Sequence, residues 1–276
     1  MKTILVITDN TPEAKHAAVF ALMVAQIVGA DILIADTIKV MELNKDQPVF
    51  AGPAIEQPEE KMLNAKEQLE LIVNPDGPYH PVISEIDISD YETADLIALI
   101  NRNDIWLLAV GMPNLLPGPG GNLSVNIQSV LNRVHCPLLL IPQGWKLKLL
   151  ERVVYIADLR YCRLPVLKYL AKLAAPFDAG ISIAHLSAKN MVHIVGSYAD
   201  AIFQNEIMPQ IHYDKISLNN TRERDVNRAV DVLINGMHND LIVLVNHRYH
   251  FEEIIGRYIN DALPPEITVP VLIFPM

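Results

Sequence analysis

The 276-residue sequence has two cysteines, Cys136 and Cys162, in unlike contexts and with no CxxC pair, so it indicates neither a disulfide framework nor a zinc knuckle. Both read as buried thiols. Glycine is scarce at 12 residues and carries no collagen period, and with 51% hydrophobic and 20% charged residues the chain is neither low-complexity nor disordered. It has no long apolar run. The longest, Ala17 to Ala30, is 14 residues with Gln26 inside it, which is short of the ~20 a bilayer crossing needs and reads as a buried helix. Lys2 precedes a short apolar segment that already meets Asp9, leaving no room for the apolar core of a signal peptide, so a cytoplasmic protein is expected. A basic surplus is missing too: 32 acidic against 22 basic residues give a net charge of −10, which makes nucleic acid and anionic membrane poor partners. The imbalance is uneven. Residues 1–144 hold 18 acids and 8 bases, and residues 145–276 hold 14 of each. The dinucleotide fingerprint GxGxxG and the phosphate loop GxxxxGK[ST] are both absent, which disfavours a dehydrogenase or a Walker ATPase.

What the sequence does contain is itself, twice. Ile4-Leu5-Val6-Ile7-Thr8-Asp9 is echoed by Val153-Val154-Tyr155-Ile156-Ala157-Asp158 at an offset of 149 (158 − 9), and Ala30–Ala35 by Ala179–Ala184 at the same offset. Further on the offset falls to 136 between Asp104 and Asp240, and to 133 between Pro137 and Pro270. The second copy has therefore lost residues in its middle.

Within each copy, short apolar runs bounded by Asp, Pro or Gly alternate with stretches of helical period, the pattern of βαβ units on a parallel sheet. The expected fold class is α/β, with two tandem, doubly wound, Rossmann-like domains at 1–144 and 145–276, each a five-stranded parallel sheet flanked by helices. Strands are expected near 3–8, 31–38, 80–86, 105–110 and 137–141, then near 152–157, 181–186, 210–216, 241–246 and 270–274. Asp90 is expected to cap the third helix, Asn122 or Ser124 the fourth, and Asn220-Thr221 with Glu223 to open a helix ending near Gly236.

In open α/β sheets ligands bind beyond the carboxyl ends of the strands, which directs attention to Asp9 and Asp158, Asp36 and His185, and the loops after Gly111 and Asn246. The first of these loops contains Gly118, Gly120, Gly121, Asn122 and Ser124 before a helix, and a glycine-rich loop leading into a helix N-terminus suits an anion. The same stretch also reads as a Pro/Gly turn and helix cap. In the second copy Asn246-His247-Arg248-Tyr249-His250 replaces the glycine-rich start, and Gly256-Arg257 follows. Arg248 and Arg257 are candidates for pairing with an anion, since guanidinium forks suit phosphate and carboxylate. His247 and His250 with Glu252 and Glu253 have zinc-ligand chemistry without the HExxH spacing. No nucleophile elbow or Ser/His/Asp order can be drawn from the spacing, so no catalytic residue is named.

With a first strand ending in aspartate in both copies and a glycine-containing loop after the fourth strand, the chain resembles the universal stress protein family in its tandem form. The resemblance implies adenine-nucleotide-binding domains in which the first-strand aspartate reads adenine and the loop Gly and Ser/Thr residues hold phosphates. Carried over, Asp9 meets the base and Gly111 opens the loop. The family's loop pattern (Gly, two residues, Gly, nine residues, Gly, Ser/Thr) then falls on Gly111, Asn114, Ser124 and Val125, so one signature residue of four survives, and the second copy departs further. The implied function is a non-catalytic stress-response module with degenerate sites for ATP or another adenine nucleotide. A weak ATP-hydrolysing switch using the 111–124 loop and a protein-interaction scaffold are the alternatives. The resemblance also implies that the apolar last strands pair inside the chain as a pseudo-dimer, with a further homodimer left open; a helix over each edge is the other way to cover them.

Overall fold

The computed structural model describes residues 1–37, 64–112, 126–187, 191–221, 223, 225–255, 259 and 263–276. In the first half β1 (Lys2–Thr8), α1 (Pro12–Val28), β2 (Ala30–Asp36), α2 (Ala65–Ile72), β3 (Ile83–Asp87), α3 (Thr93–Arg102), β4 (Leu107–Met112), α4 (Ile127–Leu131) and β5 (Leu138–Pro142) follow one another. In the second half the order is β6 (Arg152–Ala157), α5 (Leu164–Ala174), β7 (Gly180–His185), α6 (Gly196–Ile202), β8 (Ile216–Asn220), α7 (Val226–Asp231), β9 (Leu241–Val245), α8 (Tyr249–Ile254) and β10 (Val271–Phe274). Helices α6 and α7 run on into π-helical turns at Phe203–Ile207 and Val232–Gly236.

Local chemistry sets these limits. Helix α1 starts where the Thr11 hydroxyl accepts the Ala14 N–H at 3.3 Å and Pro12 presets the first turn, and it stops at Gly29, whose φ of 67° is left-handed. Its apolar residues run round most of its circumference, so it is a buried helix. The one amide inside it, Gln26, is satisfied by donating to the Asn74 carbonyl at 2.9 Å. Strands β4, β5, β9 and β10 are buried along their whole length, as sheets covered on both faces require.

The strands form one sheet of ten, in the order β3-β2-β1-β4-β5-β10-β9-β6-β7-β8. Each half has the same internal order, and every neighbouring pair is parallel except β5 and β10, which run antiparallel with Val271, Leu272 and Ile273 opposite Leu140, Leu139 and Leu138. A side-chain bridge reinforces the junction: the Tyr169 hydroxyl donates to the Trp106 carbonyl at 2.9 Å, and the two rings stack at 5.0 Å. Because the junction is antiparallel, the carboxyl ends of the first half's inner strands and those of the second half's lie at opposite edges of the sheet.

Several expected boundaries move. Strand β8 lies at Ile216–Asn220 and not near 210–216, because Met208–Gln210 close a 3-10 turn and Ile211 reaches the core from a loop. Ile216 and Leu218 alternate with polar neighbours there, the pattern of an edge strand. Helix α3 is capped at Glu92, whose N–H donates to the Asp95 carboxylate at 3.1 Å, and not at Asp90. Helix α7 begins after Asp225, and Asn220 ends β8. The cap of α4 is Asn126; Asn122 and Ser124 lie outside the described residues. No helix among the described residues is long and apolar enough to cross a membrane.

Candidate functional site

At the carboxyl end of β1, Asp9 is held by its own chain. Its Oδ1 accepts the Thr11 N–H at 3.1 Å and the Thr11 hydroxyl at 2.6 Å, which fixes the carboxylate at the start of α1. Among the described residues no cation pairs with it. Asn10, in the left-handed region at φ 59°, turns its amide toward Asp36 at the end of β2, 3.5 Å away. Gly111 closes the crevice from β4. A Cβ there would stand 2.2 Å from the Glu13 carbonyl oxygen, so the first turn of α1 presses directly on the Gly111 backbone. The packing of α1 on β4 thus requires glycine here whether or not a phosphate is bound. Gly118, Gly120, Gly121 and Ser124 lie outside the described residues, as do Gly256 and Arg257.

The corresponding aspartate of the second half has a different neighbour. Asp158 is buried, and Arg160 closes on it: Nε donates to Oδ1 at 2.8 Å, Nη2 to Oδ2, and the Arg160 N–H to Oδ1 at 3.1 Å. Nη1 of the same guanidinium donates to the Val192 carbonyl at 3.0 Å, tying the segment before α6 to the strand end. The hydrogen bonds to Asp158 push the Arg160 pKa above its ordinary value.

Beside this clamp, His185 ends β7 and is fully buried. Its Nδ1 accepts the Leu159 N–H at 3.1 Å, which places the imidazole proton on Nε2, and Nε2 has no partner among the described residues. Burial holds the His185 pKa below its usual value, against the opposing pull of Asp158. The His193 ring stacks on it at 5.8 Å.

From the other side, Arg248 caps the start of α8, its N–H donating to the Val245 carbonyl at 3.2 Å. Its Nε is buried without a partner among the described residues. Arg248 shares a narrow cleft with Asp158, Tyr161 and Tyr249, whose rings approach to 6.2 Å.

The two histidines with metal-ligand chemistry face apart. His247 Nε2 bonds Asn132 Oδ1 at 2.8 Å, and His250 Nε2 donates to the Leu186 carbonyl at 2.9 Å. No group of three His, Cys, Asp or Glu side chains among the described residues is placed to hold a metal ion. Burial pushes both thiols, Cys136 and Cys162, up to about 12, which keeps them protonated and unreactive at neutral pH.

The structure therefore brings Asp158 and Arg248 to one cleft and sets Asp9 and Gly111 at the opposite sheet edge, where β1 and β4 end. The residue the sequence reading missed is Arg160. Its signal was present in the repeat: adding the offset of 149 to Thr11, the residue that satisfies Asp9, gives Arg160, which satisfies Asp158. The same offset pairs Asp36 with His185.

The profile of the universal stress protein family matches residues 1–142. The chain belongs to the universal stress protein family. Its fold is similar to that of a universal stress protein from Archaeoglobus fulgidus DSM 4304, at 12% identity and a TM-score of 0.55, covering 99% of this chain and 97% of that one. A functionally unknown protein from Pseudomonas aeruginosa PAO1 is similar at 11% identity and a TM-score of 0.51, covering 99% and 92%. The cytoplasmic domain of a prokaryotic cation chloride cotransporter is similar at 9% identity and a TM-score of 0.50, covering 99% and 94%. At these identities the likeness is one of fold. No curated protein sequence matches the chain.

Proposed function

We propose that this universal stress protein is a non-catalytic, tandem module of stress physiology, with family units at 1–144 and 145–276, in which only the first crevice is open to a small ligand. An adenine nucleotide is the ligand class to test first, and the second crevice is occupied by the chain itself. The observation that carries this reading is the contrast between the two aspartates. Asp9 is oriented by Thr11 and has no cation on it among the described residues, whereas Asp158 is closed by the Arg160 fork. An aspartate that reads a base must offer its oxygens as acceptors, and a bidentate guanidinium consumes them.

Calorimetric titration of the full chain with ATP, ADP and AMP, with and without magnesium, tests the proposal. The expected result is one site per chain, of affinity near ~100 μM or about −5.5 kcal/mol, that disappears in Asp9→Ala and persists in Asp158→Ala. Two equivalent sites, metal-dependent turnover, or binding that survives Asp9→Ala would each overturn it. Clean protein with no heat would favour the scaffold reading.

A further inference from the structure

A further groove among the described residues lies at neither aspartate. It has a volume of about 600 Å³ and sits at the junction of the two halves, where the carboxyl end of β10 meets the segments leading into β1, β4 and β5. It shares no residue with the Asp158 cleft, and it opens at the sheet edge opposite the Asp9 crevice. Its volume is within the ~300–1,000 Å³ of small-molecule sites, and its lining mixes polar and apolar residues.

Its walls are aromatic and preorganised. Trp106 is stacked on Tyr169 at 5.0 Å, Phe274 meets Tyr169 edge-on at 5.1 Å, and the Tyr169 hydroxyl locks the assembly to the Trp106 carbonyl. Ile105 and Val166 extend the apolar surface.

Two side-chain cations, Lys2 and Arg163, line the groove. Lys2 stands over the Trp106 ring, its Nζ 4.9 Å from the centroid, and donates to the Val28 carbonyl at 3.0 Å. Arg163 uses Nη1 on the Pro275 carbonyl at 3.0 Å. Both cations therefore bond to backbone, and among the described residues neither pairs with a carboxylate. The rim also holds the exposed Asp104 and the exposed terminal residues Met1 and Met276. Burial, and after it the neighbouring cation Lys172, lowers the Lys2 pKa. Two cations thus face the same groove beside an aromatic wall.

We infer that this junction groove binds a small amphipathic organic anion, a molecule with an apolar body and a single carboxylate or sulfonate head. The body lies along Ile105, Val166, Phe274 and the edge of the Trp106 ring, and the head takes the guanidinium of Arg163 and the ammonium of Lys2. A base-stacking ligand fits less well, because Tyr169 and Lys2 already occupy the Trp106 ring. Because the walls come from both halves, an occupied groove ties the halves together and stabilises the folded chain.

The test is titration of the full chain, with no residues added at either end, with decanoate, followed by the indole N–H resonances of its two tryptophans, Trp106 and Trp145. Saturable movement of Trp106 with Trp145 still is expected. Lys2→Met, which keeps the stem and removes the charge, should weaken decanoate about tenfold. It should leave binding of uncharged decanol unchanged within twofold. Lys2→Glu should weaken decanoate further, and Asp9→Ala should have no effect. An unmoved Trp106 resonance, equal loss of decanoate and decanol in Lys2→Met, or loss of decanoate in Asp9→Ala would overturn the inference.

Discussion

Replacing Gly111 by alanine separates two reasons for a glycine at the end of β4: close approach of a phosphate, or close approach of a helix. The added Cβ would lie 2.2 Å from the Glu13 carbonyl oxygen, 2.4 Å from its carbon and 2.8 Å from the Ala14 nitrogen. An unstrained C···O contact is ~3.3 Å, so the first turn of α1 has to retreat by about 1 Å. All three atoms are backbone, and none can rotate aside. The turn is also pinned, by the Thr11 cap, by the two Asp9 bonds and by the burial of Ala14, Ala17 and Ala18. The cost therefore falls at the upper end of the ~1–3 kcal/mol of overpacking. For a cooperative unit of this size that is a drop in Tm of ~6–12 °C. Two other glycines calibrate the measurement. Gly29→Ala has open space around it but a φ of 67°, and should cost about 1 kcal/mol. Gly180→Ala meets nothing closer than 3.8 Å and should be nearly neutral. Differential scanning calorimetry of the three variants gives the order directly. A Gly111→Ala protein with unchanged Tm that has lost only nucleotide binding would refute the packing argument and return this glycine to the ligand.

The Arg160 clamp and the buried imidazole beside it give two further expectations. Arg160→Ala takes the guanidinium from a buried carboxylate and should destabilise by about 2–4 kcal/mol in urea unfolding, with much of the loss recovered in Asp158→Asn/Arg160→Met; a change under ~0.5 kcal/mol would mean that the clamp is ornamental. For His185 the folded pKa lies below the ordinary 6.5, so the unfolded chain binds the proton more readily. Its contribution to stability is complete above about pH 6.5 and is lost as pH falls through the folded value. Urea midpoints at pH 7.5 and 5 should differ less in His185→Asn, whose oxygen can still accept the Leu159 N–H, and an equal difference in both proteins would dismiss the histidine as the source.

Much of the fold was legible because apolar strands buried on both faces leave an unmistakable trace. The strands containing Ile4–Ile7, Val153–Ile156 and Leu241–Val245 lie where their runs of Val, Ile and Leu put them. The edge strand β8 was misplaced because Ile216 and Leu218 alternate with polar residues and carry no run. Helix starts were misassigned where several acceptors compete: Asp90 and Glu92, or Asn220 and Asp225, satisfy the same composition rule, and only the path of the backbone selects between them. The site was half legible. Asp9, Gly111 and Asp158 were found as strand-end residues, but the role of Gly111 depends on a contact with Glu13, nearly a hundred residues away, which no local pattern encodes.

The antiparallel pairing of β5 with β10 has a consequence that neither copy carries alone. Two copies joined edge to edge in parallel would set both aspartates along one rim of the sheet, within reach of a common partner or lid. The observed pairing of Val271 with Leu140 and Ile273 with Leu138 inverts the second copy and sends its strand ends to the opposite rim. The two strand-end regions then have separate surroundings: at the offset of 149 Arg160 stands against Thr11 and His185 against Asp36, and an acidic half adjoins a neutral one. The same inversion brings Lys2 and Trp106, at the start of the first half's strands, against Tyr169 of α5 and Phe274 at the end of β10. The junction groove is thus built from residues that serve no crevice in either copy. Its cations bond instead to backbone carbonyls, Lys2 to Val28 and Arg163 to Pro275.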